Sequence, residues 1–156
     1  MKKYELLADD TIEFYGRTLH RIKACKDFGN VKSGELGGYI ESENNLSQAG
    51  DCWVCDNARV CGNARVYDSA RVCDNAEIKR IQDVLVVGRI GSRNDFTTFF
   101  RNKDGGISVK CGCFCGTVDE FTEKVSETHG DNKHGRVYRK CAELAKIQIL
   151  EDVQDE

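Results

Sequence analysis

The stretch from Gly50 to Lys79 reads as five consecutive six-residue units, from Gly50-Asp-Cys-Trp-Val-Cys55 through Asp56-Asn-Ala-Arg-Val-Cys61 to Asp74-Asn-Ala-Glu-Ile-Lys79. Ala58, Ala64, Ala70 and Ala76 recur at this interval, and so do Val54, Val60, Val66, Val72 and Ile78. A fixed internal period constrains architecture strongly, because each unit is too short to bury its own apolar face and must stack on its neighbours. Side chains alternate along a strand, so the Ala and the aliphatic two places later point the same way. The residue between them, Arg59, Arg65, Arg71 or Glu77, points the other way. The Gly/Asp-Asn/Ser pair that opens most units suits a corner, since these residues tolerate turn and left-handed backbone. Strand and corner alternating at fixed length predict a chain wound into a solenoid.

The five aliphatics and the small residues two places before them resemble the hexapeptide-repeat family, whose members form left-handed parallel β-helices. The resemblance implies three units per triangular coil, so that residues 18 apart stack: Val72 over Val54, Ile78 over Val60, Cys73 over Cys55, Glu77 over Arg59 and Arg71 over Trp53. The last two stacks match a charge pair and a cation over an indole. The resemblance also implies a homotrimer. It does not select a function, because this coil serves acyltransferases, carbonic anhydrases and plain scaffolds alike.

At 156 residues the chain has room for one domain with small additions. Its net charge of -3 argues against general attraction to nucleic acid polymers or anionic membranes. No apolar run approaches the roughly 20 residues a membrane span needs. No apolar segment follows the opening Met-Lys-Lys-Tyr-Glu, so the expected compartment is reducing and the nine cysteines are expected as free thiols.

The flanks divide the chain into an N-terminal hairpin and loop (1–33), the repeat coil (34–91) and an α+β cap (92–156). Tyr4 to Ala24 reads as a β-hairpin, with Thr11–Tyr15 and Thr18–Ile22 flanking Gly16-Arg17. Leu36-Gly-Gly-Tyr-Ile40 and Leu46 suit a first coil, with Gly37-Gly38 allowing tight backbone. Asp83–Ile90 is the most apolar run and is expected as a buried strand of a last coil. Thr97–Phe100 and Ile107–Cys111 predict a second hairpin across Asp104-Gly105. Thr117-Val-Asp-Glu120 is a capping box opening a helix with the stripe Val118, Phe121 and Val125, ended by Gly130. A second helix is expected from about Lys133 to Leu150, then a frayed acidic tail over 151–156. The expected fold is therefore mainly β: a short left-handed parallel β-helix with an N-terminal β-hairpin and a C-terminal ββαα cap.

The polar loop Ile90–Thr98, at the junction of coil and cap, is the candidate site. Arg93 and Arg101 offer planar forks for a phosphate or carboxylate. Ser92, Asn94, Thr97 and Thr98 offer hydrogen bonds, and Gly91 lets the backbone approach a ligand closely. Cys111-Gly-Cys113-Phe-Cys115 is expected to place three thiols on one strand face, about 6.6 Å apart. Without Cys-x2-Cys spacing these read as packing groups, and no metal or other cofactor is expected. A hexapeptide-repeat acyltransferase needs a general base, usually a histidine on the coil or a loop from it. The histidines are His20, His129 and His134, none of them between Ile40 and Ile90. No catalytic residue is therefore assigned.

Leu36–Ile40, Asn57–Val66, Gly91–Asn94, Thr97–Phe99 and Cys111–Phe114 together resemble proteins of bacteriophages and prophages that carry no assigned activity. That resemblance implies a setting, the cytoplasm of a bacterial host. The expected function is non-enzymatic binding of a small anionic, nucleotide-like ligand such as an immune signal, in effect sequestration. The alternatives are an acyltransferase using His129 or His20, and a structural or protein-interaction module.

Overall fold

The computed structural model describes residues 1–152. Among the described residues eleven strands form three separate sheets, accompanied by two α-helices. The first hairpin spans Tyr4 to Ala24 as expected: β1 (Tyr4–Phe14) pairs antiparallel with β2 (Arg17–Ala24). The turn between them places Tyr15 and Gly16 at φ of 50° and 75°. β2 continues antiparallel onto β3 (Leu36–Ile40).

The repeat supplies four two-residue strands: β4 (Trp53–Val54), β5 (Arg59–Val60), β6 (Arg71–Val72) and β7 (Glu77–Ile78). The 18-residue pairing is present: Trp53 and Val54 lie beside Arg71 and Val72, and Arg59 and Val60 beside Glu77 and Ile78, all parallel. β3 joins the same register two residues out of step, with Tyr39 beside Arg59 and Ile40 beside Val60. Corner residues Asp56, Gly62, Asp68 and Asp74 all adopt positive φ, as the turn chemistry requires. The Val or Ile of every unit and the small residue two places before it, Cys52 in the first unit and Ala in the others, are buried in one core with Trp53, Ile22, Ile40 and Leu46.

A single left-handed β-helix is nonetheless not what forms, and the expected fold class is corrected here. The sheets are mixed: one of five strands in the order β1-β2-β3-β5-β7, one two-stranded pair β4-β6, and a four-stranded antiparallel sheet, with no closed solenoid. The physical reason is the length of the pieces. Each repeat strand offers only two residues for pairing, and Val66 contributes only an isolated bridge to Leu46. The hairpins carry far longer ladders and capture both ends of the repeat. The stacks also differ in chemistry. Arg59 lies over the Phe14 ring at 5.3 Å, and no ion pair to Glu77 exists among the described residues. Arg71 does not cover Trp53; its guanidinium turns toward Gly29.

Gly37 and Gly38 are needed for contact between β3 and β4. A Cβ on Gly37 would lie 2.7 Å from Trp53 Cζ2, and one on Gly38 would lie 2.5 Å from the Ala58 carbonyl oxygen.

Asp83–Ile90 is not a last coil. Its residues form β8 (Val84–Ile90), which is half-buried and pairs antiparallel with β9 (Asp95–Arg101). β10 (Ile107–Cys111) and β11 (Phe114–Thr117) complete this sheet in the order β11-β10-β9-β8. Helices α1 (Val118–His129) and α2 (Lys133–Ala145) cover one face, packing Phe121, Val125, Tyr138 and Ala145 against Phe99, Ile107 and Val109. α2 ends earlier than expected, and 146–150 continue as a π-helical turn. Of the expected frayed tail, the Glu151 amide donates to the Ile147 carbonyl at 3.3 Å and Asp152 pairs with Arg80 at 2.8 Å, while 153–156 lie outside the described residues.

The capping box forms as expected. The Glu120 amide donates to Thr117 Oγ1 at 3.2 Å, and the Thr117 amide donates to Glu120 Oε1 at 2.9 Å. That donation holds the Glu120 carboxyl below its usual range. A carboxyl lowered in the folded state stabilises above its unfolded pKa, and that contribution fades as pH falls through the folded value. Thr117→Ala is expected to cost about 1 kcal/mol, read as a fall in melting temperature of about 2–4 °C at neutral pH. An unchanged melting temperature would mean that α1 is held by its apolar face alone.

Candidate functional site

Between the repeat and the antiparallel sheet lies a cleft of about 730 Å³. Its cationic groups come from separate elements: Arg71 on β6, Arg89 on β8, Arg93 on the β8–β9 turn and Lys110 on β10. Arg71 Nη2 lies 3.1 Å from where a Gly29 Cβ would sit, so it marks the wall made by the N-terminal loop. Arg93 Nη1 lies 3.9 Å from the corresponding point on Gly112, which places it at the β10–β11 turn on another wall. Arg89 donates from Nη1 to the Asn94 carbonyl at 3.1 Å and lies over the Phe96 ring at 5.2 Å. Asp51 and Asp95 are the lining carboxylates, and Phe96 supplies an aromatic surface. Among the described residues none of the four cations belongs to a salt bridge. Four cations against two carboxylates make this cleft positive within a chain of net charge -3. Such a concave, positive, partly desolvated surface concentrates anions.

Two of the six expected ligand residues line the cleft, Arg93 and Thr98. The buried Thr98 side chain already accepts a hydrogen bond from the Arg71 amide at 2.9 Å, tying β9 to β6. Ser92 is exposed on the β8–β9 turn, and Asn94 closes that turn at φ 50° through a bond from its amide to the Gly91 carbonyl. Thr97 points to the opposite face of β9 and donates to Cys111 Sγ at 3.4 Å. Arg101 donates to the Ile149 carbonyl at 3.0 Å and lies 3.9 Å from the buried Asp83. The close approach at Gly91 is made by Tyr138, whose hydroxyl occupies the space of a Cβ. Burial pushes that hydroxyl up to about 12, and the neighbouring Cys111 adds to the shift.

The three expected strand-face thiols are not on one strand. β10 ends at Cys111, Gly112 turns at φ 58°, and Cys115 returns on β11. Cys111 faces Thr97 and Tyr138, Cys113 is exposed at the cleft, and the Cys115 thiol donates to Asp74 Oδ2 at 3.1 Å. Burial, reinforced by that aspartate, pushes the Cys115 thiol up to about 12. The expectation of free thiols is corrected at one place: Cys55 and Cys73 are joined as a disulfide, their Cα atoms 4.7 Å apart, while the other seven cysteines are free. The 18-residue register makes them neighbours.

None of the three histidines lines the cleft. His20 Nδ1 lies 3.1 Å from the Leu7 carbonyl, and His129 packs against His134 and Tyr138 at the α1–α2 turn.

Sequence reasoning missed Arg71, Arg89, Lys110 and Phe96. The one available signal was the unusual neighbour of Arg71, a tryptophan 18 residues earlier in place of the arginine or glutamate of other units.

No family model matches the chain. It is 35% identical over 63 residues to a protein of Escherichia coli strain K12 described as the uncharacterized acetyltransferase YdcK. The match takes in 36% of this chain and 19% of that protein, so the chain spans about a fifth of its relative's length. No helix among the described residues is long and apolar enough to cross a membrane.

Proposed function

We propose that the chain is a binding protein for a small anionic ligand of nucleotide type, held in the cleft between the repeat and the antiparallel sheet. The observation carrying this reading is that Arg71, Arg89, Arg93 and Lys110 converge there from separate elements without salt-bridge partners among the described residues. Guanidinium forks suit the oxygens of phosphates, which they grip in pairs. Phe96 offers a face for a base, and Asp51 and Asp95 offer acceptors for ribose or base donors. The ligand is bound and not turned over, which makes the protein a sequestering agent.

Thermal melts against inorganic phosphate, mononucleotides, cyclic dinucleotides, ADP-ribose and coenzyme A test the reading. A stabilising shift with at least one nucleotide, recovered intact by mass spectrometry, is the expected result. No shift across the panel, or breakdown of the ligand, overturns it.

Acyl transfer is the second reading, supported by the likeness to the acetyltransferase-named relative. Coenzyme A carries phosphates that the same cleft suits. Release of free coenzyme A from acetyl-coenzyme A in the presence of an amine or hydroxyl acceptor would favour it over sequestration.

A further inference from the structure

A second cluster lies away from the anion cleft, at the corners that open two of the six-residue units. Cys55 Sγ, Cys73 Sγ and a carboxylate oxygen of Asp56 all lie within 4.8 Å of one another. Asp74 adjoins them, its amide donating to Asp56 Oδ2 at 3.2 Å. A separate groove of about 390 Å³ opens at this point, lined by Asp56, Asp74 and Glu77 together with Arg59 and Lys103. The two corners share a backbone conformation, with φ of 56° at Asp56 and 54° at Asp74, and the parallel pairings Val54 to Val72 and Arg59 to Glu77 on either side bring them into register.

We propose that the reduced Cys55–Cys73 pair and Asp56 form a site for a thiophilic divalent cation such as Zn²⁺, and that the disulfide is its closed form. The donor set is two sulfurs and one oxygen, a combination a tetrahedral cation takes. At Zn–S distances of about 2.3 Å, two ligands of such a cation lie about 3.8 Å apart, so on reduction the two sulfurs move from bonding distance to that spacing, with their Cα atoms 4.7 Å apart. Asp56 ties the cluster to the groove, whose lining sets the carboxylates Asp74 and Glu77 beside the cations Arg59 and Lys103. The same two sulfurs cannot serve both states, so the site is gated by oxidation. An external dithiol gives two electrons to the S–S bond and leaves with its own disulfide, and the protein gains two thiols. Cation binding then forms two metal–sulfur bonds and releases two protons.

Cobalt(II) is the probe. The protein is reduced, freed of reductant without oxygen and titrated. A near-ultraviolet thiolate-to-cobalt absorption saturating at one equivalent, displaced by Zn²⁺, is expected. Two thiols should become protected from a disulfide reagent at the same time. The oxidised protein should give no band, and neither should Cys55→Ser or Cys73→Ser. Cys113→Ser, altered on the exposed β10–β11 turn, should keep it. Absence of the band in the reduced protein overturns the proposal, and so does its survival in both serine variants. Should those variants fail to fold, the wild-type comparison of oxidised with reduced protein decides, supported by weakened binding in Asp56→Asn.

Discussion

Replacing Trp53 by alanine is expected to destabilise the chain by about 3–5 kcal/mol, a large share of the roughly 5–15 kcal/mol that holds a domain of ordinary stability. The ring is 1% exposed. Phe28 meets it edge to face at 5.3 Å and Tyr4 at 6.4 Å. The backbone of β3 rests on it at Gly37, so the surroundings have little freedom to collapse into the hole. The damage would extend beyond β4, because Trp53 joins the N-terminal strands to the repeat. Its indole nitrogen is the one buried side-chain polar atom without a hydrogen-bond partner among the described residues. Trp53→Phe therefore removes an unsatisfied donor along with part of the ring, and should cost less than half as much. Urea denaturation followed by far-ultraviolet circular dichroism measures both, since the chain has a single tryptophan and the variants lose its fluorescence. A loss below about 1 kcal/mol for Trp53→Ala would contradict this account of the core.

The second large effect concerns the cleft. Hydrogen bonds to charged groups contribute about 1.5–3 kcal/mol each, and each 1.4 kcal/mol is a factor of about ten in affinity. Arg71→Ala and Arg93→Ala should each weaken binding of a nucleotide identified by the thermal panel about tenfold or more. The double variant should lose about two decades. Folding should be nearly unaffected, because neither guanidinium has a salt-bridge partner among the described residues. Arg59→Ala is the control, since that side chain lies over Phe14 and outside this cleft. Calorimetric titration at two ionic strengths reads the outcome, with weaker binding expected at higher salt. Equal losses for Arg59→Ala and Arg93→Ala would move the ligand away from the cleft.

Features set by neighbours along the chain were legible in the sequence. The Thr117 capping box, the Gly16 turn and the apolar stripe of α1 depend on residues within a few positions of one another, so their chemistry is written locally. The period of six was legible in the sequence, and the 18-residue register followed from the resemblance to hexapeptide-repeat proteins, since the period alone does not say how many units make a coil. The partition into sheets was not, because it depends on competition between ladders of different length. Two-residue pairings from the repeat lose the ends of the chain to eleven- and seven-residue strands such as β1 and β9. The candidate site divides along the same line. Arg93 and Thr98 stood out because polar residues crowd around them. Arg89 and Lys110 sit in ordinary strand sequence and come to line the cleft only when β8, β9 and β10 align. Arg71 is the sharpest case. Its six-residue unit closely resembles those of Arg59 and Arg65, and beyond the tryptophan 18 residues earlier it is tertiary neighbours, Gly29 beside its guanidinium and Thr98 on its amide, that set it apart.

Arg71 is fastened at its two ends to different things. Its amide is held by Thr98 of the antiparallel sheet, while its side chain belongs to the cleft. A guest gripping the guanidinium would therefore brace a seam that the Arg71 amide bond to Thr98 and the Lys103 amide bond to the Asn75 carbonyl already cross. Ligand occupancy and the cohesion of the two halves become linked quantities, and whatever loosens the seam also lets the guest go.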